Sequence, residues 1–393
     1  MDTNILRHEV QDYIIANRHK DTATLLLKRG EVAGVSLKLI AQQIISRNKL
    51  EKKLPHWTAT SGIYYPPILS AEQCSSAQTA EYKATLLKKT RVVDLTGGMG
   101  ADTAAFAQQC PQVIYVEKDE ELCAIARHNF KALRLKNIEV RNITAEDFIS
   151  ATAPITDHTF YADPARRDVH KKKVFLLSDC QPDIAELLPL LLQKGSRVLI
   201  KLSPLLDIRQ ALRELSGISQ IHVLAVKNEC KELLFVADRE YEGSVEVFAV
   251  NFVKAGKEIF RFILDDEPES RVEYGLPEKY IYEPGAAILK AGAFRSVAEK
   301  FRMKKLHQHS HLYTSSVLVT DFPGKTFILE AILPFKEKLI KKALPGGQAN
   351  VSTRNFPLSP PRLQARLHVK PGGEDFLMGT TLCDGRKVVL LLK

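Results

Sequence analysis

Residues 93–103 read Val93-Asp94-Leu95-Thr96-Gly97-Gly98-Met99-Gly100-Ala101-Asp102-Thr103. A short apolar run ends at Leu95, three glycines follow within four residues, and helical spacing begins at Asp102 with Ala105 and Phe106. A strand that turns directly into a helix needs glycine at the bend, where the backbone folds tightly and no Cβ obstructs a close approach. Outward from this point the same alternation continues. Val113-Ile114-Tyr115-Val116 reads as a second strand and Glu120 to Leu133 as a helix with Leu122, Ile125, Ala126, Phe130 and Leu133 on one side. Ile138-Glu139-Val140, His158 to Ala162 and Val198-Leu199-Ile200 read as further strands, the last after a helix through Leu187–Leu192. Ile221 to Val226 and Leu233 to Val236 close the series. Strand–helix alternation predicts an α/β fold with a mostly parallel, doubly wound, Rossmann-like sheet. Such sheets bind ligands at the carboxyl ends of their strands, beside the topological switch point.

The residue types at those strand ends narrow the ligand. Asp94 closes the first strand, where a carboxylate attracts an ammonium group and repels a pyrophosphate. Position 103 is Thr, not the third glycine of the dinucleotide fingerprint. Glu117-Lys118-Asp119 ends the second strand, and Glu117 is placed to take ribose hydroxyls, a feature that also fits NAD. Glu146-Asp147 follows the third strand and could receive an adenine amino group. Each acid alone reads equally well as a helix N-cap; the ordered set of three favours S-adenosylmethionine. The expected cofactor-binding set is Asp94, Thr96, Gly97, Gly98, Gly100, Asp102, Thr103, Glu117, Lys118, Glu146 and Asp147. The fourth strand ends in Asp163-Pro164-Ala165-Arg166-Arg167, facing the transferable methyl group in this architecture. There Asp163 could hold an amino or hydroxyl group, Pro164 would fix the turn, and the arginines could clamp a phosphate or carboxylate. The catalytic expectation is Asp163, Pro164 and Arg166.

The flanks differ from this centre. Residues 1–56 read helical, with Leu37, Ile40, Ile44 and Ile45 near helical spacing and Pro55 as a stop. A second helix is predicted from about Ser75 to Leu87, capped by Ser75 or Ser76. Beyond Ala237 the pattern becomes α+β: Val245 to Val253 and Glu258 to Leu264 read as a hairpin, and Lys387 to Leu392 as a final strand. The chain has 393 residues, 45% hydrophobic and 26% charged, which fits a globular protein of two or three domains. No apolar run reaches the roughly 18–20 residues of a membrane span, and the N-terminus lacks the pattern of a secretory signal. Six cysteines without a C-x-x-C pair suggest neither a disulfide framework nor a zinc ribbon, so a reducing cytoplasm is expected.

Charge is distributed unevenly. From Ala286 onward 18 Lys and Arg face 7 Asp and Glu, so the excess of +10 sits wholly in the C-terminal part. That is the footprint of a module that meets a polyanion such as RNA, although a merely basic surface has the same composition. Lys300 to Lys305, Lys336 to Lys342 and Arg362/Arg366/Lys370 are the candidate phosphate contacts, with Tyr313, Phe335 and Phe356 as candidate stacking partners. His307, His309 and His311 would share a face on a strand, but no cysteine or acid completes a metal site, and no metal is expected.

Asp94 through Ala107 resembles the first motif of RNA methyltransferases related to trimethylguanosine synthase, and Ala126-Arg127-His128-Asn129 matches the helix after their second strand. Where those relatives carry S-P-P-W, this chain has Asp163-Pro164-Ala165-Arg166, without the stacking tryptophan. Over its full length the chain resembles a bacterial family of class I S-adenosylmethionine-dependent methyltransferases with a ferredoxin-like segment and a THUMP-like C-terminal domain. The marks are Gln73-Cys74-Ser75-Ser76 through Tyr82-Lys83-Ala84, the DPARR segment, Asn228 to Leu233, Tyr282-Glu283-Pro284 and His311 to Ser315. The resemblance implies a seven-stranded methyltransferase sheet over 89–240, preceded by a helical region at 1–88. An α+β connection with the ferredoxin-like segment would occupy 241–321 and a THUMP-like domain 322–393. It further implies an enzyme acting on RNA, tRNA or rRNA. The alternatives are a non-catalytic RNA-binding protein that keeps the cofactor fold, and a methyltransferase with a non-RNA substrate.

Overall fold

The computed structural model describes residues 1–27, 30–88, 90–154, 157–166, 177 and 180–393. The chain forms two compact units, one of residues 1–219 and 234–242, the other of residues 220–233 and 243–393.

In the first unit, five parallel strands carry the centre: β1 (Arg91–Asp94), β2 (Gln112–Glu117), β3 (Ile138–Asn142), β4 (Thr159–Ala162) and β5 (Arg197–Leu202). β1 pairs with β2 on one side and β4 on the other, β2 with β3, and β4 with β5, all in parallel. A hairpin, β6 (Ile218–Val226) and β7 (Glu229–Asp238), completes the series, and its residues are divided between the two units. Within a nine-stranded sheet these seven lie in the order β3-β2-β1-β4-β5-β7-β6. Direction along the order reverses between β1 and β4, so their carboxyl ends flank the switch point. The central strands are apolar on both faces because helices cover both sides: Val92, Val93, Val113, Val198, Leu199 and Ile200 are all buried.

The N-terminal segment belongs to the same unit as this sheet. Helices α1 (His8–Asn17) and α2 (Leu37–Glu51) pack through Val10, Ile14, Ile40, Ala41 and Ile44. One expectation is corrected here. Residues 1–56 are not helical throughout, because Glu31–Val32 and Val35–Ser36 form an antiparallel hairpin. Its two turn residues, Ala33 and Gly34, both have positive φ, +49° and +81°, as a tight hairpin requires. Helix α3 (Ala77–Leu86) is capped by Ser76, whose hydroxyl accepts the Thr79 N–H. Further helices of the unit are α4 (Ala101–Ala107), α5 (Glu120–Ala132), α6 (Ala145–Ala151), α7 (Ile184–Lys194) and α8 (Ile208–Glu214).

In the second unit, β8 (Glu246–Val253) runs parallel to β6 and antiparallel to β9 (Gly256–Ile263), the hairpin read from the sequence. A separate sheet contains β10 (Tyr280–Pro284), β11 (Tyr313–Ser315), β12 (Gly324–Pro334), β13 (Asn350–Arg354), β14 (Phe376–Thr381) and β15 (Lys387–Leu392). Its order is β11-β10-β12-β15-β14-β13, with the two-residue strand Lys304–Lys305 at the β11 edge. Helices α9 (Glu337–Ala343) and α10 (Pro360–Leu367) bury Ile340, Leu363 and Leu367 with Leu377 and Val389 of the sheet. The three histidines do not alternate on a strand. His307 and His309 lie in a turn, and His311 has φ +51°. No group of three metal-ligating side chains occurs among the described residues.

Candidate active site

The glycine loop after β1 is held by side chains from β2. Gly98 donates its N–H to Glu117 Oε2 at 2.9 Å, and the Tyr115 hydroxyl donates to the Gly98 carbonyl at 2.5 Å. A Cβ on Gly97 would lie 2.2 Å from the Tyr115 ring, and one on Gly100 (φ +88°) 2.6 Å from the Phe130 ring. Those two glycines are therefore fixed by packing behind the loop. Gly98 differs. A Cβ there would project into open space, with its nearest neighbour, the Thr96 carbonyl, 3.8 Å away. The loop is thus packed tightly behind and open above Gly98, with the Glu117 carboxylate at its edge.

Asp94 lies under the loop and is buried. Its carboxylate accepts the Thr96 N–H at 3.1 Å and the Thr103 hydroxyl at 2.5 Å. Burial pushes its pKa up to about 7, with neighbouring Asp102 and Asp163 acting in the same direction against the two hydrogen bonds. Thr96 also accepts the Asp163 N–H on its hydroxyl, at 2.7 Å, which ties the end of β4 to the loop after β1. Asp163 in turn receives Lys201 Nζ from β5 at 2.5 Å. Burial raises the Asp163 pKa above the ordinary carboxylate value, and Lys201 pulls against that rise. Pro164 is buried behind it. Ala165–Arg166 pairs antiparallel with Cys180–Gln181; the side chain of Arg166 and all of Arg167 lie outside the described residues.

Asp102 has a separate set of partners. Its carboxylate binds Lys83 Nζ at 3.0 Å and accepts the Ser75 hydroxyl at 2.8 Å and the Tyr161 hydroxyl at 2.9 Å. Lys83 is fully buried and donates to Ser75 at 2.6 Å. Burial acts to raise the Asp102 pKa, but Lys83, Lys201 and the Ser75 bond together carry it below the ordinary value. The N-terminal helix α3 is thereby keyed into the sheet at the switch point.

The other expected cofactor residues are spread along the β2 and β3 ends. Glu117 accepts the Asp119 N–H as well as that of Gly98. Lys118 is exposed, and its carbonyl takes the Asn142 amide at 3.1 Å. Glu146 and Asp147 are both exposed in the first turn of α6, where Asp147 exchanges hydrogen bonds with Thr144, the N-cap. Sequence reading missed Lys201, Lys83, Ser75, Tyr115 and Tyr161. Ser75 and Lys83 fell within a family mark, Ser75 also as a candidate N-cap, but neither was placed at the site, because only the folded chain brings them to Asp102.

Two of the candidate RNA contacts are corrected. Tyr313 is fully buried and donates its hydroxyl to the Phe294 carbonyl at 2.7 Å, so it has no face to stack on a base. Lys305 is buried, its pKa lowered to about 8 by desolvation, and it donates to the Gln308 carbonyl. Phe335 and Phe356 pack edge to face, ring centres 5.1 Å apart, with the Arg366 guanidinium 4.8 Å over Phe335. Lys336, Lys338, Lys341, Lys342, Arg362 and Lys370 are exposed.

A sheet of this order with a glycine loop, an acid at the tip of β1 and an acid at the tip of β2 defines a class I S-adenosylmethionine-dependent methyltransferase. Comparison with known proteins agrees. A ferredoxin-like domain model matches residues 280–323, a THUMP domain-like model 324–393, and a ribosomal RNA adenine dimethylase model 75–176. A crystal structure of a candidate methyltransferase from Porphyromonas gingivalis W83 is 36% identical, with a TM-score of 0.87, and the match covers 100% of this chain and 98% of that one. Two Mycobacterium tuberculosis proteins, from strains CDC 1551 and H37Rv, are each described as an uncharacterized S-adenosylmethionine-dependent methyltransferase. Each is 25% identical over 305 residues, 76% of this chain and 79% of its own. The chain belongs to this family of S-adenosylmethionine-dependent methyltransferases, with ferredoxin-like and THUMP-like C-terminal modules. When bound, the cofactor supplies an electrophilic methyl group on a sulfonium, so the protein's task is to bind, align and manage the acceptor's proton.

Proposed function

We propose that this enzyme methylates RNA, tRNA or rRNA, and that its THUMP-like module supplies much of the affinity. The observation that carries the reading is the run of exposed cations on that module, Lys336, Lys338, Lys341, Lys342, Arg362 and Lys370, in a segment with few acids. The match to a ribosomal RNA adenine dimethylase model over 75–176 supports it. So does a cavity of about 440 Å³ in the first unit, between α5 and β3, where Arg127, Lys131, Arg134 and Lys136 surround Phe130, Leu135, Ile138 and Val140. Four cations and no carboxylate line it. The test is transfer of labelled methyl from S-adenosylmethionine to total RNA, with a protein substrate as control; label in protein alone rules out the proposal. Changing Lys338, Lys341 and Lys342 together to Gln is expected to weaken RNA binding at every sequence. It should also reduce the slope of log K against log salt by about 2–3.

Within the cofactor cleft, the reading gives Asp94 the ammonium group, Glu117 the ribose and the Glu146/Asp147 pair the adenine, with Thr96, Gly97, Gly98, Gly100 and Thr103 forming the loop. Lys118 would border the ribose, and Asp102 acts from below as a support. Asp94, with its pKa of about 7, gives a pH signature. The ammonium favours the ionised carboxylate, so binding releases a proton and affinity should rise between about pH 5.5 and 7.5. The free enzyme should lose stability as pH rises from about 4 to about 7, because the folded Asp94 retains a proton that the unfolded chain gives up near pH 3.9. Asp94→Asn should weaken binding and flatten both dependences. Calorimetry across that range checks this, and an unchanged slope in the variant would remove Asp94 from the site.

A further inference from the structure

The acceptor end of the cleft carries charges that discriminate between kinds of nucleophile. Asp163 is fixed at the tip of β4 by its N–H bond to Thr96 and by Lys201 Nζ at 2.5 Å. Lys83 stands close enough to act on the same carboxylate. The described chain beyond Asp163 continues as Pro164-Ala165-Arg166, which offers no aromatic side chain to stack a base, whereas methylation of a base amino group requires the base to be held flat. Charge development separates the two cases further. An amine gains positive charge as it attacks a sulfonium methyl, which an adjacent ammonium opposes. A hydroxyl must lose its proton and gains negative charge, which the same ammonium stabilises.

We infer that the methyl acceptor is a ribose hydroxyl of the RNA, with Asp163 as the catalytic proton acceptor and Lys201 as the residue that positions it. The inference rests on the RNA reading above. The acceptor oxygen forms a bond to the methyl carbon, and the methyl–sulfur bond breaks with its electron pair left on sulfur. The hydroxyl proton passes to an Asp163 carboxylate oxygen and then to water. Nothing beyond the RNA and the methyl donor is consumed.

The experiment uses the full chain, trideuteromethyl S-adenosylmethionine and total RNA, followed by digestion and mass spectrometry of the nucleosides. Label is expected on the ribose, in nucleotides whose 3′ linkage resists alkali. Label on the base overturns this inference and leaves RNA methylation standing. Label absent from RNA overturns both. Asp163→Asn should lower the single-turnover rate at least about 100-fold. Lys201→Met should lower it about tenfold or more, with Lys201→Arg recovering most of the loss. Cofactor Kd, read by calorimetry, should stay within about twofold in all three, which also reports that they fold. A wild-type rate in Lys201→Met would remove Lys201 from the proposal.

Discussion

Asp102→Ala is expected to lower the unfolding free energy by about 3–5 kcal/mol. The substitution strips the carboxylate at 3.0 Å from an ammonium that is fully buried, and it takes from the Ser75 and Tyr161 hydroxyls the acceptor they share. A buried charge that loses its compensating partner costs more than the pair itself ever contributes, because its desolvation is no longer offset. For a unit of this size the midpoint of thermal unfolding should fall by about 10 °C. The control is Lys83→Met combined with Asp102→Ala. Removing both charges together should be less destabilising than removing the acid alone, which is the signature of coupling in a double-mutant cycle. A single Asp102→Ala variant within about 1 kcal/mol of wild type would show that this network does not secure α3 to the sheet. Activity should fall along with stability, since the charges of Lys83 and Asp102 act on the carboxylate of Asp163.

The second large effect is expected at Gly97. Its Cβ position lies 2.2–2.6 Å from three atoms of the Tyr115 ring, far inside contact distance. The ring has little room to retreat. It is fully buried, its hydroxyl is bonded to the Gly98 carbonyl, and Phe130 meets it edge to face at 5.7 Å. In Gly97→Ala the loop must therefore lift, at a cost of about 1–3 kcal/mol of overpacking. In the proposed site that loop lines the cofactor cleft, so S-adenosylmethionine Kd should rise about 10- to 100-fold. Adding Tyr115→Leu makes room for the methyl and should recover part of the affinity. Gly98→Ala is a useful contrast, since its Cβ meets open space and only its φ of +52° resists, so its cost to folding should be smaller. Cofactor binding to Gly97→Ala as tight as to wild type would separate this loop from the cofactor site.

These two sites also mark how far the sequence was legible. Local chemistry was readable at the loop: three glycines after an apolar strand, an acid before them and an acid ending the next strand are contiguous patterns whose period and spacing define a βαβ unit. The hairpin at 246–263 was readable for the same reason, since turn residues and alternation lie within one short window. Gly34 was equally visible as a turn residue, but helical spacing on both sides obscured the two-residue strands beside it. The basic histidine-rich stretch was misread in detail, because composition reports that Lys305 and Tyr313 are present and not that they are buried.

By itself, then, the sequence determined the succession of the central strands, the glycine loop that turns the first of them into a helix, and the charge asymmetry, since each is encoded by neighbouring residues. Only the tertiary structure decided which side chains converge across distance. It joined Ser75 and Lys83 to Asp102 and Tyr161, set Lys201 against Asp163, and placed Tyr115 behind Gly97. Parallel strand pairing brings together residues that stand dozens of positions apart, and a buried ion pair specifies its partner through desolvation, a property of the packed interior that no local pattern records.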